Sequence, residues 1–461
     1  MAALMTVGEL ARVLTASAIP TEIYGDGRAA FSGVSTDSRT LPAGSLFVAL
    51  SGERFDGHDY VARASQNGAV AALVERRVAV DVPQLIVADS KRAFGIGAGA
   101  WRARFSLPVI AVAGSNGKTT VTQMIASILA AEYGDKNRLA TQGNLNNDIG
   151  VPLMLWQLSK QHRAAVFELG MNHPGEIAFL AQLVQPTVAL VNNAQREHQE
   201  FMQSVEATAH ENGETLAALS DNGVAVFPAD DTCSSIWRQL AGTRRVIDFA
   251  LTAYAVVTAT FQADHDGVRI SMATPYGVID VRLAAGGEHN VRNALAAVAC
   301  AIAADVGADA IGAGLNAWQP VAGRGVRLRI NGCDVIDDTY NANPDSARAA
   351  IDLLAEAPAP RVLVLGDMGE VGIRGPEFHR EVGQYARERG IDALLAIGPL
   401  MHEAVQAFGS AAVHFDDIDA LIAALRPSLR ASTTVLIKGS RFMRMERVVQ
   451  ALAPQKMEPA H

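Results

Sequence analysis

The run Val109-Ile-Ala-Val-Ala-Gly114-Ser115-Asn116-Gly117-Lys118-Thr119-Thr120 carries the strongest chemical pattern in this 461-residue chain. An apolar stretch leads into a glycine turn, and Lys-Thr-Thr follows. Backbone N–H groups of such a turn, with those of a helix N-terminus, hold phosphate oxygens. Lys118 is placed to reach the β- and γ-phosphates of a nucleotide, and the Thr119 hydroxyl to bind Mg²⁺. A full P-loop motif wants a glycine five positions before Gly117. Val112 stands there, so the match is to the shorter Gly-x-x-Gly-Lys-Thr form. Glu168 ends a second apolar run that starts at Ala164. At the carboxyl end of a parallel strand a side chain faces the ligand crevice, and a carboxylate there suits a hard cation such as Mg²⁺.

Asparagines come next. Asn290 and Asn293 are three apart, so on a helix they share a face. Each amide offers a donor and an acceptor, as an adenine edge requires, and Asn290 also suits a plain helix cap. Asp338, a turn acid after an apolar run, is able to accept hydrogen bonds, and Lys438, before Gly439-Ser440, would reach a phosphate or carboxylate. Ser38 and Arg39 supply a hydroxyl and a guanidinium, both suited to pyrophosphate oxygens.

The elements that must position these groups alternate between strand and helix. Apolar runs at Leu46–Leu50, Ala69–Val74 and Leu85–Val87 mark a small α/β unit, opened by a helix with a Thr6/Glu9 capping box. Val109–Ala113, Ala164–Glu168 and Thr187–Val191, separated by helical stretches at Val121–Ala131 and Glu176–Val184, predict a parallel sheet. Residues 253–283 read as three short strands with turns at Asp264–Gly267 and Pro275–Gly277, followed by a helix from Asn290 to Ala304. Ala322-Gly-Arg324-Gly325 is a hinge candidate. Beyond it Asp334–Asp337, Arg361–Gly366, Ala393–Gly398 and Thr434–Ile437 form a further α/β set, and a tail without apolar period starts at Ala453.

The fold class expected is α/β in three domains: 1–107, 108–326 and 327–461. Length alone suggests about three. The composition, 49% hydrophobic and 19% charged, is that of a globular protein. A net charge of −9 argues against non-specific nucleic-acid binding. Cys233, Cys300 and Cys333 lie far apart and form neither a disulfide framework nor a zinc set, which points to a reducing compartment. The N-terminus lacks a basic region typical of a signal peptide, and the most apolar stretch, Ala294–Ala304, is too short to span a bilayer. A cytoplasmic protein without membrane insertion is expected.

Taken in order, the motifs resemble those of the Mur ligases, the cytoplasmic peptide ligases of peptidoglycan precursor synthesis. Gly114-Ser-Asn-Gly-Lys-Thr-Thr resembles their ATP loop. Thr141-Gln-Gly-Asn144-Leu-Asn146-Asn-Asp-Ile-Gly-Val-Pro152 resembles the loop contacting the nucleotide sugar. Phe167-Glu168-Leu-Gly resembles the strand end with a metal-binding glutamate, and Gly287-Glu-His289-Asn290-Val-Arg-Asn293 the helix start near adenine. Asp337-Asp338-Thr-Tyr-Asn341-Ala-Asn343-Pro-Asp345-Ser resembles the ribose- and phosphate-contacting segment of the third domain. Leu365-Gly-Asp-Met-Gly-Glu370 and Ile437-Lys438-Gly-Ser440-Arg441 complete the set.

The resemblance implies a UDP-sugar domain, a central P-loop-type ATP domain with a mostly parallel sheet, and a Rossmann-like third domain. It implies ATP and Mg²⁺ as cofactors. Gly114, Ser115, Asn116, Gly117, Lys118, Thr119, Thr120, Asn290, Asn293, Arg324, Asp338 and Asn341 would hold the nucleotide. Ser38, Arg39, Asn144, Asn146, Asn343, Asp345 and Lys438 would hold substrate. Thr119, Glu168 and His198 would hold metal, with Lys118, Glu168 and His198 catalytic; Glu197 and Glu200 are competing carboxylates. The Tyr-Asn-Ala-Asn-Pro-Asp-Ser string is closest to the member that adds D-alanyl-D-alanine to UDP-N-acetylmuramoyl-tripeptide, expected as a monomer. Rival readings are the ligase of the preceding step, folylpolyglutamate synthase, and a non-ligating ATP switch. One departure stands out. The family commonly carries a carbamylated lysine just before Gly-Glu, and here Asn212 precedes Gly213-Glu214.

Overall fold

A computed structural model describes residues 3–52, 55–197, 199–264 and 267–452. His198, the middle of the expected Asp264–Gly267 turn, and the tail from Ala453 lie outside the described residues.

Three large, mostly parallel sheets follow one another along the chain, with a smaller four-stranded sheet after the second. The first has five strands in the order 22–24, 84–86, 71–74, 45–48, 33–35, parallel except for the first pair. The helix Val7–Ala16 beside it opens with the expected box: Glu9 N–H donates to Thr6 Oγ1 (3.1 Å), and Thr6 N–H to Glu9 Oε2 (2.7 Å). The central sheet has six parallel strands in the order 138–140, 164–168, 109–113, 188–191, 224–226, 245–246. Strands 257–264, 267–274 and 277–283 form the expected antiparallel set, with 249–250 alongside. The third sheet begins with the hairpin 326–330/333–338 and continues in parallel through 434–438, 361–366, 393–397 and 412–415.

Continuous apolar runs such as Val109–Ala113 are buried throughout because both faces of the central sheet are covered. One face packs the helices Lys118–Tyr133 and Glu288–Ala303. The other shares a single core with the first sheet, joining Leu46 and Phe94 to Val109, Phe167 and Leu180. The third sheet keeps its own cores, one on each face.

Two helices begin earlier than the apolar period suggests. The phosphate-loop helix runs Lys118–Tyr133, not from Val121, because the break is Gly117 at φ 80°. The helix that carries Asn290 and Asn293 runs Glu288–Ala303 behind Gly287 at φ 92°, which puts Asn290 inside its first turn rather than at the cap.

The phosphate-loop helix is seated against Ala308–Ala317 through a glycine. A Cβ on Gly314 would lie 2.4 Å from the Ile128 Cα. Gly314→Ala is therefore expected to lower stability by about 1–3 kcal/mol through overpacking, measured by urea unfolding.

Candidate active site

The strand Val109–Ala113 ends at Gly114 (φ 132°), and the helix opens after Gly117. Both turns need glycine. A Cβ on Gly117 would lie 2.4 Å from Asn293 Oδ1, and one on Gly114 3.0 Å from the Asn192 backbone N.

Amides hold this loop from outside. Asn116 N–H donates to Asn193 Oδ1 (2.9 Å), and Asn116 O accepts from Nδ2 of both Asn192 (2.8 Å) and Asn193 (3.0 Å). Gln195 N–H donates to Ser115 Oγ (2.9 Å), while Asn116 Nδ2 donates to Gln195 Oε1 (2.6 Å). Asn192 Nδ2 also donates to Asn293 Oδ1 (3.0 Å). Asn192, Asn193 and Gln195 leave the strand Val188–Val191, the parallel neighbour of the loop strand.

Lys118 Nζ lies over the loop, donating to Gly114 O (2.6 Å) and Ser115 O (3.0 Å), and pairs with Glu197 at 3.2 Å. On the other side, Val112 pairs in register with Glu168. Glu168 is buried. Its N–H donates to Thr141 Oγ1 (2.9 Å), and its Oε1 accepts from Asn146 Nδ2 (2.7 Å). Its Oε2 is buried without a hydrogen-bond partner. Leaving a carboxylate oxygen so costs several kcal/mol unless a cation answers it. That orphaned oxygen and the Thr119 hydroxyl line the same cleft, an all-oxygen donor set that fits Mg²⁺.

The cleft measures about 1240 Å³ and brings together most of the residues singled out from sequence. Ser115 to Thr120, Asn144, Asn146, Glu168, Asn290, Asn293, Arg324, Asp338, Asn341, Asn343, Asp345 and Lys438 all line it. Gly114 sits behind the lining, with its N–H donated to Asn212 Oδ1 (3.0 Å). Ser38 and Arg39 lie elsewhere. Ser38 is buried with its carbonyl bonded to Asn67 Nδ2, and the exposed Arg39 guanidinium is forked onto Asp37. His198 lies outside the described residues.

Several lining residues already have partners. Asn290 Nδ2 donates to Gly286 O (2.8 Å). Burial lowers the His289 pKa below the usual imidazole range, which favours the neutral ring in the cleft lining. Asp231, also in the lining, is pushed up by burial. Lys438 Nζ donates to Asp338 Oδ2 (2.6 Å) and Asn341 O (2.9 Å), so the lysine fixes the acid expected at the ribose. The Arg324 guanidinium lies over the Tyr340 ring, 4.1 Å from its centroid. Asn343 caps the helix Pro344–Ala355 and bonds Asn116 in the loop. Asp345 is bound by Arg196.

Three family models match the chain. The Mur ligase middle domain matches residues 112–301, the Mur ligase glutamate ligase domain 323–441, and the Mur ligase family catalytic domain 30–133. The chain is 43% identical over 425 residues to the UDP-N-acetylmuramoyl-tripeptide–D-alanyl-D-alanine ligase of Escherichia coli (strain K12), covering 91% of this chain and 93% of that protein. The chain belongs to the Mur ligase family. This Mur ligase is also 37% identical to the Haemophilus influenzae protein of the same name, over 96% of this chain and 98% of that one. It superposes on the crystal structure of MurF from Acinetobacter baumannii with a TM-score of 0.89 at 35% identity, covering 97% and 98% of the two chains. On MurF ligase from Thermotoga maritima in complex with ADP the TM-score is 0.83 at 26% identity, covering 91% and 96%. A folylpolyglutamate synthase from Mycobacterium tuberculosis, at 17% identity and TM-score 0.64 over 79% and 94%, shares the fold alone.

Sequence reasoning passed over the amide frame of this Mur ligase. A signal was present: Asn192-Asn-Ala-Gln-Arg-Glu197 is a dense polar run at the carboxyl end of an apolar strand. Asn212 also has a visible task. It is buried, its Oδ1 takes the Gly114 N–H, and it stands where the resemblance places a carbamylated lysine.

Two outcomes follow. Asn212→Ala removes the acceptor of a buried N–H and should weaken nucleotide binding by about 1–3 kcal/mol, read by titration with a fluorescent ADP analogue. Activity in degassed buffer should not change on adding bicarbonate, since this chain has no lysine between Lys160 and Lys438. A bicarbonate requirement would refute the assignment of Asn212.

Proposed function

We propose that this chain is an ATP-dependent ligase that adds D-alanyl-D-alanine to UDP-N-acetylmuramoyl-tripeptide in peptidoglycan precursor synthesis. The observation that carries this reading is the 43% identity, over 91% of the chain, to the Escherichia coli enzyme of that name. The ADP held by the Thermotoga maritima relative supports ATP as the nucleotide used, and the phosphate loop is the seat we assign to it.

In the first step the tripeptide carboxylate attacks the γ-phosphorus of ATP and ADP leaves, giving an acyl phosphate. In the second, the amine of D-alanyl-D-alanine attacks the acyl carbon, and the tetrahedral intermediate expels phosphate. A free carboxylate is a poor electrophile, so activation comes first. The protein contributes position and charge. Lys118 exchanges its present acceptors, Gly114 O, Ser115 O and Glu197, for phosphate oxygens, and so offsets the charge of the group in transfer. Thr119 and Glu168 are the groups that would hold Mg²⁺, which when bound neutralises phosphate charge. Asn293 and Asn290 face the base, and Asp338, oriented by Lys438, the ribose.

In this reading residues 1–107 take the UDP sugar, 108–326 the ATP, and 327–461 the incoming dipeptide. Gly323 and Gly325, both at φ 74°, give the chain between the last two its freedom to turn, and closure excludes water that would hydrolyse the acyl phosphate. A monomer in the cytoplasm, engaging neither nucleic acid nor membrane, belongs to the same reading. Among the described residues no helix is long and apolar enough to cross a membrane.

The test is phosphate release with ATP and UDP-N-acetylmuramoyl-tripeptide, with and without D-alanyl-D-alanine. Sustained release is expected only with the dipeptide, and its absence refutes the reading. Lys118→Ala should keep the fold and lose about 2.7–4 kcal/mol of transition-state stabilisation, as for one preorganised donor. Glu168→Gln should shift the Mg²⁺ titration of activity to far higher concentration, whereas an unchanged titration would assign Glu168 to structure.

A further inference from the structure

The segment that braces the phosphate loop also reaches across to the third sheet. Arg196 N–H donates to Asp345 Oδ2 (2.8 Å), and its Nη2 to Asp345 Oδ1 (2.6 Å). Its Nη1 and Nη2 donate to Glu381 Oε2 (2.7 Å) and Oε1 (3.0 Å). Arg348 adds a second cation on Glu381 Oε1 (3.0 Å). The Arg196 guanidinium also lies over the Phe378 ring, 5.4 Å from its centroid. The Arg196 and Asp345 side chains are each only 22% exposed. A forked, half-buried guanidinium between two carboxylates differs from a surface ion pair, which contributes little. Burial alone would lower the Arg196 pKa, yet the two acids hold it above its ordinary value.

The neighbours of these residues face the reaction. Asp345 stands in the first turn of Pro344–Ala355, and its cap Asn343 exchanges two amide hydrogen bonds with Asn116 of the phosphate loop (2.9 and 3.3 Å). On the other side, Gln195 bonds Asn116 and Glu197 holds Lys118. Three consecutive residues, 195 to 197, thus tie the loop, the third sheet and the phosphate-seeking lysine to one short stretch of backbone.

We propose that Arg196 is a positioning residue: with Asp345 and Glu381 as its receptors, it docks the third sheet on the phosphate loop and so fixes the incoming amine relative to the acyl phosphate. This rests on the ligase reading above. Asp345, expected from sequence to bind substrate, is on this account a latch acid.

The experiment compares wild type with Arg196→Ala, Asp345→Asn and the double variant. Small-angle scattering of the protein with a non-hydrolysable ATP analogue and Mg²⁺ gives the radius of gyration. Each single variant should expand it, and the double variant should expand it no further, since the two residues act as one unit. The affinity for a fluorescent ADP analogue should move less than about threefold, while kcat falls about tenfold or more and KM for D-alanyl-D-alanine rises. Arg196→Lys keeps the charge without the fork and should fall between. Asp345→Asn is nearly isosteric and keeps the proposal testable if Arg196→Ala misfolds. An unchanged radius in every variant, or additive expansion, overturns the latch. If wild type fails to ligate, the ligase reading falls, and scattering still decides the latch.

Discussion

A glycine turn built to hold phosphate cannot hold itself. Gly114 and Gly117 are free to adopt positive φ, and that freedom must be removed by something outside the turn. Acceptors are needed for the loop's own N–H groups, and they must not repel a polyanion. Carboxylates would satisfy the first demand and fail the second. Amides meet both, because an amide oxygen accepts as a carboxylate does but carries no charge. The frame is accordingly Asn192, Asn193, Gln195, Asn212 and Asn293. Of the acids beside the loop, Glu197 faces Lys118, and Glu168 keeps one buried oxygen without a hydrogen-bond partner.

Strand order makes that frame reachable. The loop strand 109–113 runs between 164–168 and 188–191, so the carboxyl ends of its neighbours deliver Glu168 on one side and the polar run 192–197 on the other. Parallel pairing is what puts all three ends on one edge. The helix Glu288–Ala303 then closes the loop with Asn293, itself buried. Core packing and phosphate binding are therefore not separable here: the same helix seals the hydrophobic face and sets an amide against Gly117.

Much of this was legible in the residues. The phosphate loop, Glu168 at its strand end, the antiparallel insertion and the turn at Gly323 and Gly325 are local patterns, and local patterns survive folding. Helix starts were displaced because glycine, not the first apolar residue, marks the break at Gly117 and Gly287. Partner choice was not legible. Arg196 and Asp345 are separated by 149 positions, and nothing in either neighbourhood says that they meet. The sequence resemblance makes Asp345 a substrate ligand, and only packing of the third sheet shows a guanidinium on it. Arg39 shows the same limit: the residue type suits a pyrophosphate, and its fork onto Asp37 two positions away is seen only in the structure.

The first sheet and one face of the central sheet bury their apolar side chains in a common core, whereas the third sheet keeps cores of its own. Close-packed interiors deform little. In the ligase reading, the span from the sugar-nucleotide seat to the phosphate loop is then a fixed length, set by packing rather than by the ligand. A peptide tethered at one end must bring its carboxylate to a point a set distance away. The shared core thus works as a ruler, selecting acceptors by how many residues they carry before any of their side chains is inspected.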